Sequence, residues 1–225
     1  MHSGPERFQR YYWLNISGKR IVYLYIRKNA CSNFKKMFQR ESEFTEKGVP
    51  SLALMSKHHV VKKFNVIRRA EHSVVVVRDP VERAFSAFAN QLVAKADQAT
   101  NIAAGYEDIT GEDVRNATFI QFCDRYLFKA GYDLDGHFFP QSMHLLPFEH
   151  KHYFPLRQLH AKAKTLLGEE VAHSYFAHHV NSMQSMTRIG GNFQGTPVRH
   201  LFEMTKEGKI CTYDSVVDAE TDARL

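Results

Sequence analysis

Two short basic segments stand directly after apolar runs, and both have the makings of an anion site. The first is Arg27-Lys28-Asn29-Ala30-Cys31-Ser32-Asn33, which follows RIVYLYI. Where such a segment leads from a strand into a helix, the first backbone N–H groups of the helix lack intrahelical acceptors. Together with the helix dipole they attract phosphate or sulfate. Lys28 adds a mobile positive charge, and Ser32 and Asn33 add side-chain hydrogen bonds. Ala30 and Cys31 are small enough to let an anion approach the backbone. The segment is not GxxxxGK[ST], because it has no glycine and its lysine comes at the start. On the pattern alone, a basic surface loop accounts for it equally well.

The second segment reads VVVVRDPVERAFSAFAN over residues 74–90. Arg78 leaves the end of the apolar run, and Ser86 falls on a polar stripe two turns into the expected helix. An arginine with a hydroxyl nearby suits a terminal phosphate, the guanidinium forming a two-pronged pair with its oxygens. Pairing of Arg78 with Asp79 or Glu82 in a helix cap is equally credible. Among thirteen histidines, His137 is the candidate general base, because an imidazole near its ordinary pKa can accept a proton at neutrality. Its bland reading is a turn histidine packed on Phe138 and Phe139. His58, His59 and His144 compete with it. His150-Lys151-His152 and His178-His179 read as His-rich surface, with metal binding the alternative.

These residues need elements to position them. RIVYLYI predicts a strand over Arg20–Ile26 and NFKKMFQR a helix over Asn33–Arg40, with Phe34, Met37 and Phe38 on one face. Leu52–Phe64 reads as helical. His72–Val77 predicts a parallel strand buried on both faces. Asp79 suits the N-cap of a helix over Pro80–Ala96, with Pro80 at its first position and Glu82 completing a capping box. Thr100–Asn116, acidic and containing glycine, reads as a loop. A helix follows over Phe119–Ala130, ended by Gly131. Residues 133–152 read as irregular. Leu156–Leu167 reads as a helix stopped by Gly168, and a polar tail without strong period follows Gly190-Gly191. Strand, helix, strand, helix implies an α/β fold: a mainly parallel sheet with helices on both faces. Ligands of such sheets bind beyond the carboxyl ends of the strands, where both basic segments fall.

Composition is consistent with that plan. The chain has 225 residues, 44% hydrophobic and 12% aromatic, which argues against disorder and against a fibre. One domain spanning 1–225 is expected, with a nucleotide-binding core over about 20–145. Basic residues exceed acidic ones by six, which favours anionic partners. Cys31, Cys123 and Cys211 are far apart, neither a disulfide framework nor a zinc set. They point to a reducing compartment and a cytoplasmic location, with a Golgi-lumenal or membrane-associated one the alternative if an anchor is missing from this chain. No signal peptide and no membrane span is expected, the longest aliphatic run being Val74–Val77.

The segments carry a resemblance. Lys28-Asn29-Ala30-Cys31-Ser32-Asn33 resembles the 5′-phosphosulfate loop of carbohydrate sulfotransferases, the Golgi-type group and its bacterial relatives. Arg78-Asp79-Pro80, followed by Arg83 and Ser86-Ala87-Phe88, resembles that family's 3′-phosphate segment. His137-Phe138-Phe139-Pro140-Gln141 resembles its His-Trp-x-Pro-Gln segment. The three occur in the family's order over the first two thirds of the chain. The resemblance implies a P-loop-like fold related to nucleotide kinases. It implies 3′-phosphoadenosine 5′-phosphosulfate (PAPS) as donor, a hydroxyl acceptor, in the family a saccharide, and no metal. By position, Lys28 meets the 5′-phosphosulfate and its bridging oxygen. Asn29, Ala30, Cys31 and Ser32 wrap that group, and Asn33 starts the helix. Arg78 and Ser86 hold the 3′-phosphate, and His137 serves as base. Tyr11, Tyr12, Trp13, Phe138 and Phe139 stack on sugar rings or belong to the core.

The chain also departs from the family. Arg27 stands where a proline is usual, and the resemblance fades after Gln141. Tyr213–Leu225 lacks the usual final helix, and Arg199-His200 suits a loop over the nucleotide. Two other classes stay open: a nucleotide kinase, which the missing glycines oppose, and a non-catalytic binder of anionic glycan or nucleic acid. Nucleic acid is not expected, since no Lys/Arg run is interleaved with aromatics.

Overall fold

The computed structural model describes residues 9–131, 134–178, 185–218 and 222–223. The chain forms two compact units, each made of two segments: residues 1–78 with 140–180, and 79–139 with 181–225.

The first unit is built on a five-stranded sheet of order β3-β1-β2-β4-β5. Its strands are β1 (Tyr11–Ile16), β2 (Lys19–Leu24), β3 (Val60–Val61), β4 (His72–Val77) and β5 (His152–Pro155). β2, β4 and β5 run parallel, while β1 is antiparallel to both β2 and β3. Four of the five strands therefore run in one direction and β1 alone runs against them, which makes the sheet mixed. The cause is local: Ser17 and Gly18 both take positive φ, and a two-residue turn of that kind reverses the chain into a hairpin.

Side chains alternate across the sheet. Ile21, Tyr23 and Tyr25 with Val74 and Val76 face a core completed by Phe34, Met37 and Phe38, Leu166 and Leu167, and Tyr175 and Phe176. These come from the helices Cys31–Glu41, Leu159–Leu167 and Glu169–Phe176. Tyr23 and Phe34 stack with centroids 3.8 Å apart. On the other face Val22, Leu24, Ile26 and Val75 pack with Ile67, Leu145, Leu146 and Phe148. That cover comes from the short helix Phe64–Arg68 and the irregular chain before β5. Tyr11 and Tyr12 are core residues at 1% and 2% exposure, not free stacking platforms. Trp13 is half-buried under the Arg20 guanidinium, 4.3 Å from the ring.

The Leu52–Phe64 stretch is broken: a helical turn Ser51–Leu54, a π-helical turn Met55–His59, then β3. In the second unit the helix Pro80–Phe88 continues as a π-helical turn over Ala89–Val93. Asp79 caps it, its Oδ1 accepting from the N–H groups of Val81 and Glu82 at 2.9 Å. Thr100–Thr110 is a helix, not a loop. Ile102 and Tyr106, four apart, are buried, and Gly105 lets Tyr126 come close, a Cβ there lying 3.2 Å from the Tyr126 hydroxyl. The last stretch is also ordered, as β6 (Thr187–Ile189), the helix Val198–Lys206, β7 (Lys209–Cys211) and the turn Tyr213–Val216. β6 and β7 pair in parallel. Phe85, Phe88, Tyr106, Phe119, Phe122, Tyr126 and Phe138 form the heart of this unit's core. Phe138 and Phe139 are thus packing residues, at 6% and 1% exposure. Among the described residues no helix is long and apolar enough to cross a membrane.

Candidate functional site

β2 and β4 are parallel neighbours, so the segments that follow them leave the sheet at the same end. After β2 the chain turns, with the Asn29 N–H reaching the Ile26 carbonyl at 3.3 Å. Lys28, third in this turn, has φ 70°, the position at which a type II turn ordinarily takes glycine. Ala30 is also left-handed, at φ 54°. Each such residue costs about 1–2 kcal/mol with a Cβ present. The two left-handed residues on either side of Asn29 curl the backbone, with the Asn29 N–H held inside the turn by the Ile26 carbonyl.

The helix Cys31–Glu41 starts from this loop. Its N-cap is Ala30, with no side-chain cap and no acidic residue in the first turn. Its positive end therefore has no side-chain cap and no carboxylate within its own first turn. The N–H groups of Asn33 and Phe34 turn back to the Ala30 carbonyl. Cys31 and Ser32 are half-buried at the first two helical positions.

Asn29 is fully buried. Its amide donates to the Val76 carbonyl at 2.7 Å and to Gln141 Oε1 at 2.6 Å. Gln141 also grips Arg78: Oε1 accepts the Arg78 N–H at 3.0 Å, and Nε2 donates to the Arg78 carbonyl at 2.8 Å. Arg78 Nη1 donates to the Lys28 carbonyl at 3.3 Å. The structure thus brings together Lys28, Asn29 and Arg78. Asn33 serves another purpose. It is the third helical residue, not the first, and its amide donates to the carbonyls of Tyr175 and His178 at 2.6 and 2.9 Å.

Ser86 and His137 belong to the second unit. Ser86 is half-buried on the Pro80–Phe88 helix, and Arg83 on the same helix is buried. His137 Nδ1 lies 2.6 Å from Asp135 Oδ1, which also accepts the His137 N–H at 2.9 Å. In the neutral ring, an Nδ1 that donates to this carboxylate makes Nε2 the accepting nitrogen. Arg199 lies on the helix Val198–Lys206, its guanidinium donating to Asn116 Oδ1 at 2.8 Å, so it does not belong to a closing loop.

The competing histidines have structural partners. His58 Nε2 meets Glu46 Oε1 at 2.5 Å. His59 donates from Nδ1 to the Trp13 carbonyl, while Nε2 accepts from the Ser42 hydroxyl. Burial holds its pKa below the ordinary value. His144 is buried. His150 is core, not surface, with Nε2 at 2.8 Å from the Tyr11 hydroxyl, and burial lowers its pKa too. His152 pairs with His72 at 3.2 Å. Burial first, and His72 second, lower its pKa. His179 lies outside the described residues. Among the described residues no group of three or more His, Cys, Asp or Glu is placed to hold a metal. All three cysteines are free, and burial pushes the Cys211 thiol up to about 11.

Two residues that matter here carry no assignment from sequence. Gln141 ends the His-Phe-Phe-Pro-Gln segment, so the motif flagged its position but no pattern gave it a role. Asp135 stands two before His137, and only that spacing could have marked it.

A parallel pair of strands thus delivers an uncapped helix start, a lysine and an arginine to one end of the sheet. A model of the sulfotransferase family matches residues 16–184, and the chain belongs to that family, whose members transfer a sulfuryl group. No curated protein and no solved structure matches the chain significantly.

Proposed function

We propose that the chain transfers the sulfuryl group of PAPS to a hydroxyl of an acceptor, a saccharide by the family resemblance, on a core of P-loop-like type. The observation that carries this reading is the left-handed, uncapped loop of residues 28–30, set beside Arg78 by Gln141. The donor fits these residues: a compound anion suits the curled backbone and Lys28, and a second anionic group suits the fork of Arg78.

In this reading Lys28 neutralises the charge that gathers on the departing phosphate oxygen. The backbone of Asn29, Ala30, Cys31 and Ser32 wraps the same group, and the helix dipole adds to its field. Arg78 and Ser86 hold the 3′-phosphate, which ATP lacks. His137, its ring oriented by Asp135, takes the acceptor's proton at Nε2.

Calorimetry tests the reading. The parent should prefer adenosine 3′,5′-bisphosphate clearly to ATP. Arg78→Ala and Ser86→Ala should weaken the bisphosphate much more than adenosine 5′-phosphosulfate. Equal weakening of both ligands would make these two residues structural, and a parent that prefers ATP would overturn the donor assignment.

A further inference from the structure

We infer that Gln141 is the positioning residue that makes the two basic loops a single donor site, an inference that rests on the donor reading above. β4 ends at Val77, yet Gln141 pairs with both the N–H and the carbonyl of the next residue, Arg78. Its amide acts as one more residue of a neighbouring strand and extends the ladder by one step. The point from which the Arg78 side chain departs is thereby held at both its peptide groups.

The same Oε1 accepts from Asn29, whose second amide hydrogen goes to the Val76 carbonyl. Asn29 is the residue between the two left-handed ones, so the middle of the strained loop is tied to the same amide. Arg78 then returns a bond to the loop through the Lys28 carbonyl. The bonds close a ring: Gln141 to Arg78, Arg78 to Lys28, along the chain to Asn29, and back to Gln141. Only an amide has the chemistry for this, because one end must accept twice and the other must donate. Removal of that amide loosens both loops without removing any charge from the site.

The test compares Gln141→Met and Gln141→Asn with the parent, each alone and in an Arg78→Ala background. Calorimetry with adenosine 3′,5′-bisphosphate and adenosine 5′-monophosphate reads the preference that the 3′-phosphate confers. Loss of a hydrogen bond to a charged group costs about 10- to 10²-fold in affinity. The preference should therefore fall about tenfold or more in either variant. In the Arg78→Ala background the Gln141 substitutions should take nothing further from it, since groups acting as one unit are not additive. Full preference in a folded Gln141 variant, or additive losses, would overturn the inference while leaving the donor reading intact. Failure of both variants to fold would make Gln141 a structural residue and overturn it as well. A parent without preference for the bisphosphate would overturn the donor reading and this inference with it.

Discussion

Lys28 combines a charge with a backbone conformation that a lysine does not favour, and the two can be separated. Lys28→Ala keeps the Cβ and removes the charge. Transfer should fall about 10²–10³-fold with the melting midpoint nearly unchanged; activity within a few-fold of the parent would sink the role. Ala30→Gly removes no charge and relieves the left-handed strain, so thermal unfolding should show stabilisation of about 1 kcal/mol. His137→Ala should lower turnover about 10²–10⁴-fold and leave the affinity for the bisphosphate near that of the parent. Normal turnover in that variant would return the base to the unassigned. Charges at this scale were legible in the sequence because a residue's type carries them. The parts of Gln141, Asn29 and Asn33 were not, because an amide's role depends on which carbonyls and N–H groups the fold brings within 3 Å.

At the scale of elements, Asn33 joins the first turn of its helix to the end of Glu169–Phe176 through two bonds. Asn33→Ala leaves two carbonyls of the first unit without their donor. The expected cost is about 1–3 kcal/mol, read as a lower midpoint in urea with an unchanged slope. β4 and the helix after Ala30 were readable, since a continuous valine run and an apolar face spaced at three and four leave few alternatives. β1 was not, because its strand signal, Tyr-Tyr-Trp-Leu, has an aromatic pattern that suits a sugar platform as well as a core. Thr100–Thr110 was misread for a different reason. Gly105 weakens local helix preference, and its use against Tyr126 exists only once the second unit has packed. Residues 198–216 are helical and paired through tertiary contacts such as the Val198 N–H to the Ala117 carbonyl, which no local pattern announces.

Across the whole molecule, the buried His59 and His150 contribute to a pH dependence, as does the half-buried His152. His59 and His150 each accept at Nε2 from a hydroxyl that itself accepts a backbone N–H, from Phe44 through Ser42 and from Leu146 through Tyr11. Burial depresses both pKa values. The unfolded chain takes up these protons near pH 6.5 and the folded chain resists them, so protons favour unfolding. Stability should be fully present above about pH 6.5 and lost as the pH falls through the depressed values. Each imidazole contributes at most about 1.4 kcal/mol per pH unit. Melting scans between pH 7.5 and 5 check this, and a flat profile would contradict it.

The Gln141 clamp joins residues 63 apart in sequence, and that distance sets an order of events during synthesis. Chains emerge from the ribosome N-terminus first and fold as parts become available. The strained turn at Lys28 and the end of β4 leave early, but nothing yet holds one to the other. Gln141 comes some sixty residues later, and β5, whose pairing with β4 shortens the span the clamp must close, comes later still. A nascent chain halted before residue 152 would carry Lys28, Asn29 and Arg78 without β5. On the donor reading proposed above, competence to bind the anion would then arrive late, well after the charges themselves have been made.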